Sequence, residues 1–159
     1  MANFQECVVE YKKQLAKGEI QKAYKGILEY LMALRTLFEK QHPDWLVPGG
    51  LYTGYMDMSY FSIIPPSLKE RKLKIALVFI HEACRFEVWL AGVNKSVQAD
   101  YWNKIKQSGW NKYQTVASLL GADAIIEHIL VESPDFDDLE GLTNQLQNGT
   151  KRFIETIEK

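Results

Sequence analysis

His81, Glu82, Arg85 and Glu87 fall inside an otherwise apolar run, LKIALVFIHEACRFEVWLAG, at residues 73–92. Apolar strands build cores, and an ionisable group inside one needs a partner or a task. Three chemistries come into question. His81-Glu82 followed by Arg85 carries the first half of an HExxH zinc signature. That chemistry needs two histidines one helical turn apart on one face. Here arginine stands in the second place and the surroundings read as strand. Asp57 and Glu87, on neighbouring strands, offer two carboxylates to a metal, as in nucleases that set Asp and Glu-x-Lys around the ion. The lysine position of that pattern is Trp89. His81 is the third candidate, a base or ligand that titrates near neutral pH. His42 and His128 lie in distant segments and no histidine pair has ligand spacing. No metal site is expected, and no cofactor.

Arg85, Glu87 and Trp89 share one face by strand periodicity. Two readings stay open for them: an ion pair on the solvated face of a half-covered sheet, or the wall of a pocket. The aromatics Tyr52, Tyr55, Tyr60, Trp89, Trp102 and Trp110 supply much area at low entropy cost, for a core, an interface or a ligand cavity. The candidate ligand-binding set is therefore Tyr55, Asp57, His81, Arg85, Glu87 and Trp89. The chain has no GxGxxG, Walker loop or GxSxG, and Gly49-Gly50 is too short to cradle phosphate.

The elements that must position these residues follow from hydrophobic period. Phe4, Val8, Tyr11 and Leu15 recur at helical spacing, with Asn3 and Glu6 as a capping box, and predict a helix over residues 4–17. A second helix over residues 19–40 completes a helical hairpin and stops before Pro43. Tyr52 to Ile64 reads as a strand over about 53–63, ended by Pro65-Pro66. Ser67 to Lys72 is a polar connector, with one helical turn as an option. Residues 73–92 are too long for one ordinary strand. They predict strands at 73–80 and 85–91 around a turn that lacks Gly, Asn or Asp, with a single bent strand as the alternative. Helices are expected at 96–108, 122–131 and 137–158, and an edge strand at 113–117. On the helical reading of 122–131, His128 and Glu132 form an i,i+4 surface contact. The order predicts an α+β fold: a three- to four-stranded, mainly antiparallel sheet flanked by about five helices, with an N-terminal helical hairpin and a C-terminal helix.

Composition sets the outer bounds. The 159 residues suit one domain. A net charge of −1 gives no electrostatic case for nucleic acid. Cys7 and Cys84 read as free buried thiols. The opening MANFQECVVEYKK lacks the pattern of a signal peptide, and no apolar run approaches the ~20 residues that span a bilayer. A cytoplasmic location without membrane association is the expectation.

The runs EYKKQLAKGEIQKAYKGILEYLMALR (10–35), GYMDMSYFS (54–62), KIALVFIHEACRFEVWLAGVNK (74–95) and IIEHILVESPDFDDLEGLT (125–143) resemble a family of small bacterial proteins of unknown function. The resemblance extends over nearly the whole chain. It implies a bacterial, soluble, single-domain protein and transfers no activity. Many aromatics without a catalytic constellation point to a non-enzymatic binding module, taking a small ligand or protein partner on the aromatic and Arg/Glu sheet face. The alternatives are a hydrolase or nuclease using Asp57, His81 and Glu87, and a structural homo-oligomer.

Overall fold

Four antiparallel strands lie side by side in chain order: β1 (Met58–Ile63), β2 (Leu73–Ile80), β3 (Arg85–Gly92) and β4 (Ile126–Val131). The structure is a computed structural model and describes residues 1–159. Five helices accompany the sheet: α1 (Phe4–Leu15), α2 (Glu19–Gln41), α3 (Pro66–Glu70), α4 (Lys95–Ser108) and α5 (Leu139–Glu158). This is the expected α+β arrangement, with its helical hairpin and C-terminal helix. Residues 73–92 are two strands, paired from Leu73↔Gly92 to Ile80↔Arg85.

Strand alternation sorts the side chains onto two unlike faces. Phe61 and Ile63, Ile75, Leu77 and Phe79, Phe86, Val88 and Leu90 point inward. Leu31, Leu34 and Phe38 of α2 and Leu142, Leu146, Phe153 and Ile154 of α5 pack onto them. Each such side chain, fully buried, contributes about 1.5–3 kcal/mol of hydrophobic stabilisation. The outer face carries Ala76, Val78, Trp89 and Ala91, joined by Ala124 from the loop before β4. Only Met58, Tyr60 and Ile80 pack against that cluster, so no helix contributes to it. The apolar side chains of α4, Val97, Tyr101, Trp102 and Ile105, belong to the inner core instead.

Residues 122–131 form no helix; the segment ends in β4. Ile126, Ile129 and Leu130 satisfy the helical period, but the stretch is rich in β-branched side chains that suit a pleated surface. The free edge of β3 decides the outcome by pairing Leu90 with Ile126 and Glu87 with Ile129. A bulge between Phe86 and Glu87 inserts one extra residue in β4. Ile129 stays outward and 40% exposed, while Leu130 turns in against α5. A Cβ at Gly149 of α5 would come 2.8 Å from Leu130 Cδ2, so glycine permits that close approach. His128 and Glu132 therefore make no helical contact. His128 stacks on Phe153 and lies tilted against Tyr113, and Glu132 pairs with Arg85.

Three smaller expectations also change. The first strand begins at Met58, because residues 54–57 form a tight turn with Gly54 and Met56 at positive φ. The expected edge strand at 113–117 is a single bridge, Thr115↔Ile126. Both cysteines are free but exposed. Cys7 sits on α1, which buries no residue at all. Cys84 closes the β2–β3 turn at φ 50°, its exposed thiol donating to the His81 carbonyl at 3.2 Å. The exposed α1 also shows in the total surface: 10017 Å², against roughly 8,000 Å² for a compact chain of this mass.

Candidate functional site

The two sheet faces divide the candidate residues. His81 follows Phe79 by two residues and lies on the inner side, its ring against Phe79 and Tyr24. Its Nε2 is 2.8 Å from Ser59 Oγ, superficially a base beside a nucleophile. The hydroxyl proton of Ser59, however, goes to the Thr53 carbonyl at 2.6 Å. A serine has one proton to donate, so His81 must donate from Nε2 to Ser59. That is the reverse of nucleophile activation, which needs the hydroxyl to give its proton to the ring. Ser59 is also fully buried. Burial holds His81 below the ordinary imidazole value, with the Asp57 charge acting against the shift. The neutral ring thus ties the β2–β3 turn to the loop before β1.

Asp57 serves the same loop. Its Oδ1 accepts from the Tyr55 backbone N–H at 2.9 Å, and its own carbonyl accepts from the His81 N–H at 3.0 Å. Backbone hydrogen bonds at this turn hold its carboxyl below the usual range. Tyr55 projects into solvent, 93% exposed. Asp57 and Tyr55 are turn residues here, and Asp57 does not converge with Glu87. Nowhere do three or more His, Cys, Asp or Glu side chains gather as metal ligands would.

Arg85, Glu87 and Trp89 come together on the outer face. Glu87 is 4% exposed and accepts twice: from Arg85 Nε at 2.8 Å and from Trp89 Nε1 at 2.8 Å. The ion pair runs along β3 instead of across strands, and its carboxylate is buried instead of solvated. Charge-assisted hydrogen bonds of this kind compensate the desolvation of the carboxylate. The pair raises the Arg85 pKa, and Arg85 also reaches Glu132 at 3.4 Å. The consequence for Trp89 is orientation: its indole N–H is anchored to Glu87, which fixes the ring over the sheet.

Beside that ring lies a cleft of 130 Å³. Ala76 and Ala91 form its floor, Met58, Tyr60 and Trp89 its walls, and Lys74 and Asp123 stand at its rim. The floor exists because two adjacent strands carry alanine facing outward, where a larger side chain would fill the space. Tyr52 packs against Tyr60, ring centroids 5.0 Å apart. Burial, with Tyr52 and Asp123 nearby, raises the Tyr60 pKa. Glu127, the cross-strand partner of Trp89, also has a raised pKa, from burial first and then from Glu87 and Asp123. The cleft is aromatic-walled, with more carboxylates than cations around it.

A larger cavity of 220 Å³ opens between α4 and the end of α5, lined by Leu73, Leu90, Tyr101 and Trp110. Its Arg71 already donates to the Ile157 and Glu158 carbonyls and closes the end of α5. Its other charged side chains, Lys104 and Lys159, are both cations, so they offer no pair of opposite free charges. Of the cleft residues, Trp89 and Tyr60 are visible in sequence as aromatics. Lys74, Ala76 and Ala91 carry only the weak signal of alternation with large core residues, and Asp123 lies in a loop whose path the sequence does not reveal.

Neither a curated protein nor a solved structure matches this chain. A family model does, from residue 4 to residue 159. No helix is long and apolar enough to cross a membrane. The match spans both sheet faces and every helix, and the chain therefore belongs to the domain of unknown function family DUF7000.

Proposed function

We propose that this protein is a non-enzymatic binding module that takes a small ligand in the outer-face cleft. The observation that carries the reading is the cleft itself: an alanine floor between two aromatic walls, one of them locked by the Arg85–Glu87–Trp89 chain. Ligand sites are concave, largely apolar and provided with a few placed polar groups. Lys74 and Asp123 are such groups.

The cleft floor and its neighbours give little to a large partner. Ala76, Val78, Trp89 and Ala91 are at most 7% exposed already, so docking a protein or a second copy over them removes little further apolar area. A standard interface needs about 800 Å² per partner. The hydrolase and nuclease reading finds less support. Ser59 gives its proton to Thr53, Asp57 holds a turn, and Glu87 is clamped on the other face. Two exposed, unpaired cysteines suit a reducing, cytoplasmic compartment.

The test is a thermal-shift screen over small metabolites and nucleotides, run in parallel on the wild type and on Ala91→Leu, which fills the cleft floor. Ligand binding stabilises by about 2.7 kcal/mol at a hundredfold excess over Kd. The expected result is at least one compound that raises the wild-type midpoint and leaves the variant unmoved. Compounds that shift both proteins equally, or none that shifts either, overturn the reading.

A further inference from the structure

We propose that the ligand of the cleft is a zwitterion of amino-acid size, its carboxylate on Lys74 and its ammonium on Asp123. This rests on the cleft being a ligand site and adds the chemical class.

Lys74 and Asp123 line one 130 Å³ space, yet neither forms an ion pair with the other or with any other residue. Arg85 is the contrast, its charge matched by Glu87 and Glu132. Two opposite charges facing one cleft, beyond ion-pair distance of each other, are complementary to a molecule that carries both charges and spans the gap. A simple amine leaves Lys74 unpaired beside a like charge, and a simple carboxylate does the same to Asp123; such mismatches give specificity.

Charge balance fixes the orientation. Glu127 stands across the strand pair from Trp89, near Asp123 and Glu87, so the carboxylates collect on the Asp123 side and favour the ammonium there. Aromatic faces add attraction for a cation. Size gives the rest. An apolar cavity of about 150 Å³ holds benzene, so 130 Å³ suits a small amino acid and its close relatives.

Titration calorimetry at pH 7 with L-alanine, L-serine, β-alanine, propionate and ethylamine reads the class directly. The expected result is saturable binding of at least one of the three zwitterions, with propionate and ethylamine at least tenfold weaker. Lys74→Met and Asp123→Asn, both at the solvent-facing rim, are each expected to weaken that binding at least tenfold while the circular dichroism stays native. Propionate or ethylamine binding as well as the zwitterions overturns the proposal, as does undiminished binding in either variant. If no zwitterion binds but another compound binds wild type and not Ala91→Leu, the class is wrong and the cleft reading stands. If nothing binds in a manner that Ala91→Leu blocks, both fall.

Discussion

The two faces of the sheet are built on opposite economies. The inner face is large, apolar and covered by α2 and α5; its Ser59–His81 pair is closed onto Thr53, and the Thr150 hydroxyl of α5 is buried without a partner. The outer face is small-floored and covered by no helix; its apolar residues are shielded by Trp89, Tyr60, Met58 and Ile80. Its polar groups are only partly engaged: Arg85 and Glu87 are paired, whereas Lys74 and Asp123 are not. A polar group in a finished network fixes structure, while one left open at a cavity rim is available to a ligand. Residue type alone therefore misleads. His81 is the most reactive-looking side chain in the sequence and sits in the more closed setting.

The contrast between the faces is open to measurement. The largest expected effect is on the inner face. Phe79→Ala and Phe86→Ala, both fully buried, are expected to cost about 3–5 kcal/mol in guanidinium unfolding. Ile129→Ala on the outer face, 40% exposed, is expected to cost about 1 kcal/mol or less. Equal losses end the distinction between the faces.

Next comes Glu87. Glu87→Ala removes the acceptor of Arg85 and Trp89 and is expected to cost about 1–3 kcal/mol. Glu87→Gln, which keeps an acceptor oxygen, is expected to lose less. If the two variants are equally stable, the carboxylate does not hold the indole. Ser59→Ala is expected to cost about 1 kcal/mol by orphaning the Thr53 carbonyl and the His81 N–H. Urea midpoints measure it, and an unchanged midpoint removes the network from the account.

Acid separates the faces further. Burial lowers the pKa of His42, His81 and His128 from the ordinary 6.5. The unfolded chain then takes up protons that the folded chain refuses, so stability is expected to fall as the pH drops through and below 6.5. His81→Gln should flatten that slope in a pH series of thermal midpoints. Glu127 has the opposite sign. Its folded pKa is raised above the ordinary 4.5, so ionisation works against the fold. The smallest expected effect is a slight gain in midpoint for Glu127→Gln at pH 7, vanishing below about pH 4 as both states become protonated. A loss at pH 7 reverses the assignment.

Part of this was legible from the residues. The α1–α2 hairpin announces itself by period and by the Asn3–Glu6 box, which forms as written. The β2–β3 hairpin is visible as two apolar runs around a polar centre. The Arg85–Glu87–Trp89 face follows from period two, because alternation is local. Burial of Glu87 does not follow, since it depends on Trp89 and Arg85 closing over the carboxylate. The β4 segment escaped because Ile126, Ile129 and Leu130 satisfy the helical period, and the choice lay with the free edge of β3.

Local sequence dictates which segments are helical or extended in most of the chain, and which side chains share a strand face. Those properties depend on residues within a turn or two of each other. Tertiary structure alone decided that His81 lies across the sheet from Glu87 and that Asp57 caps a turn. It also decided that Asp123, from a loop, reaches the rim beside Lys74. These depend on pairing register and on which face the helices cover, and both are fixed only when distant segments bury their apolar surface together.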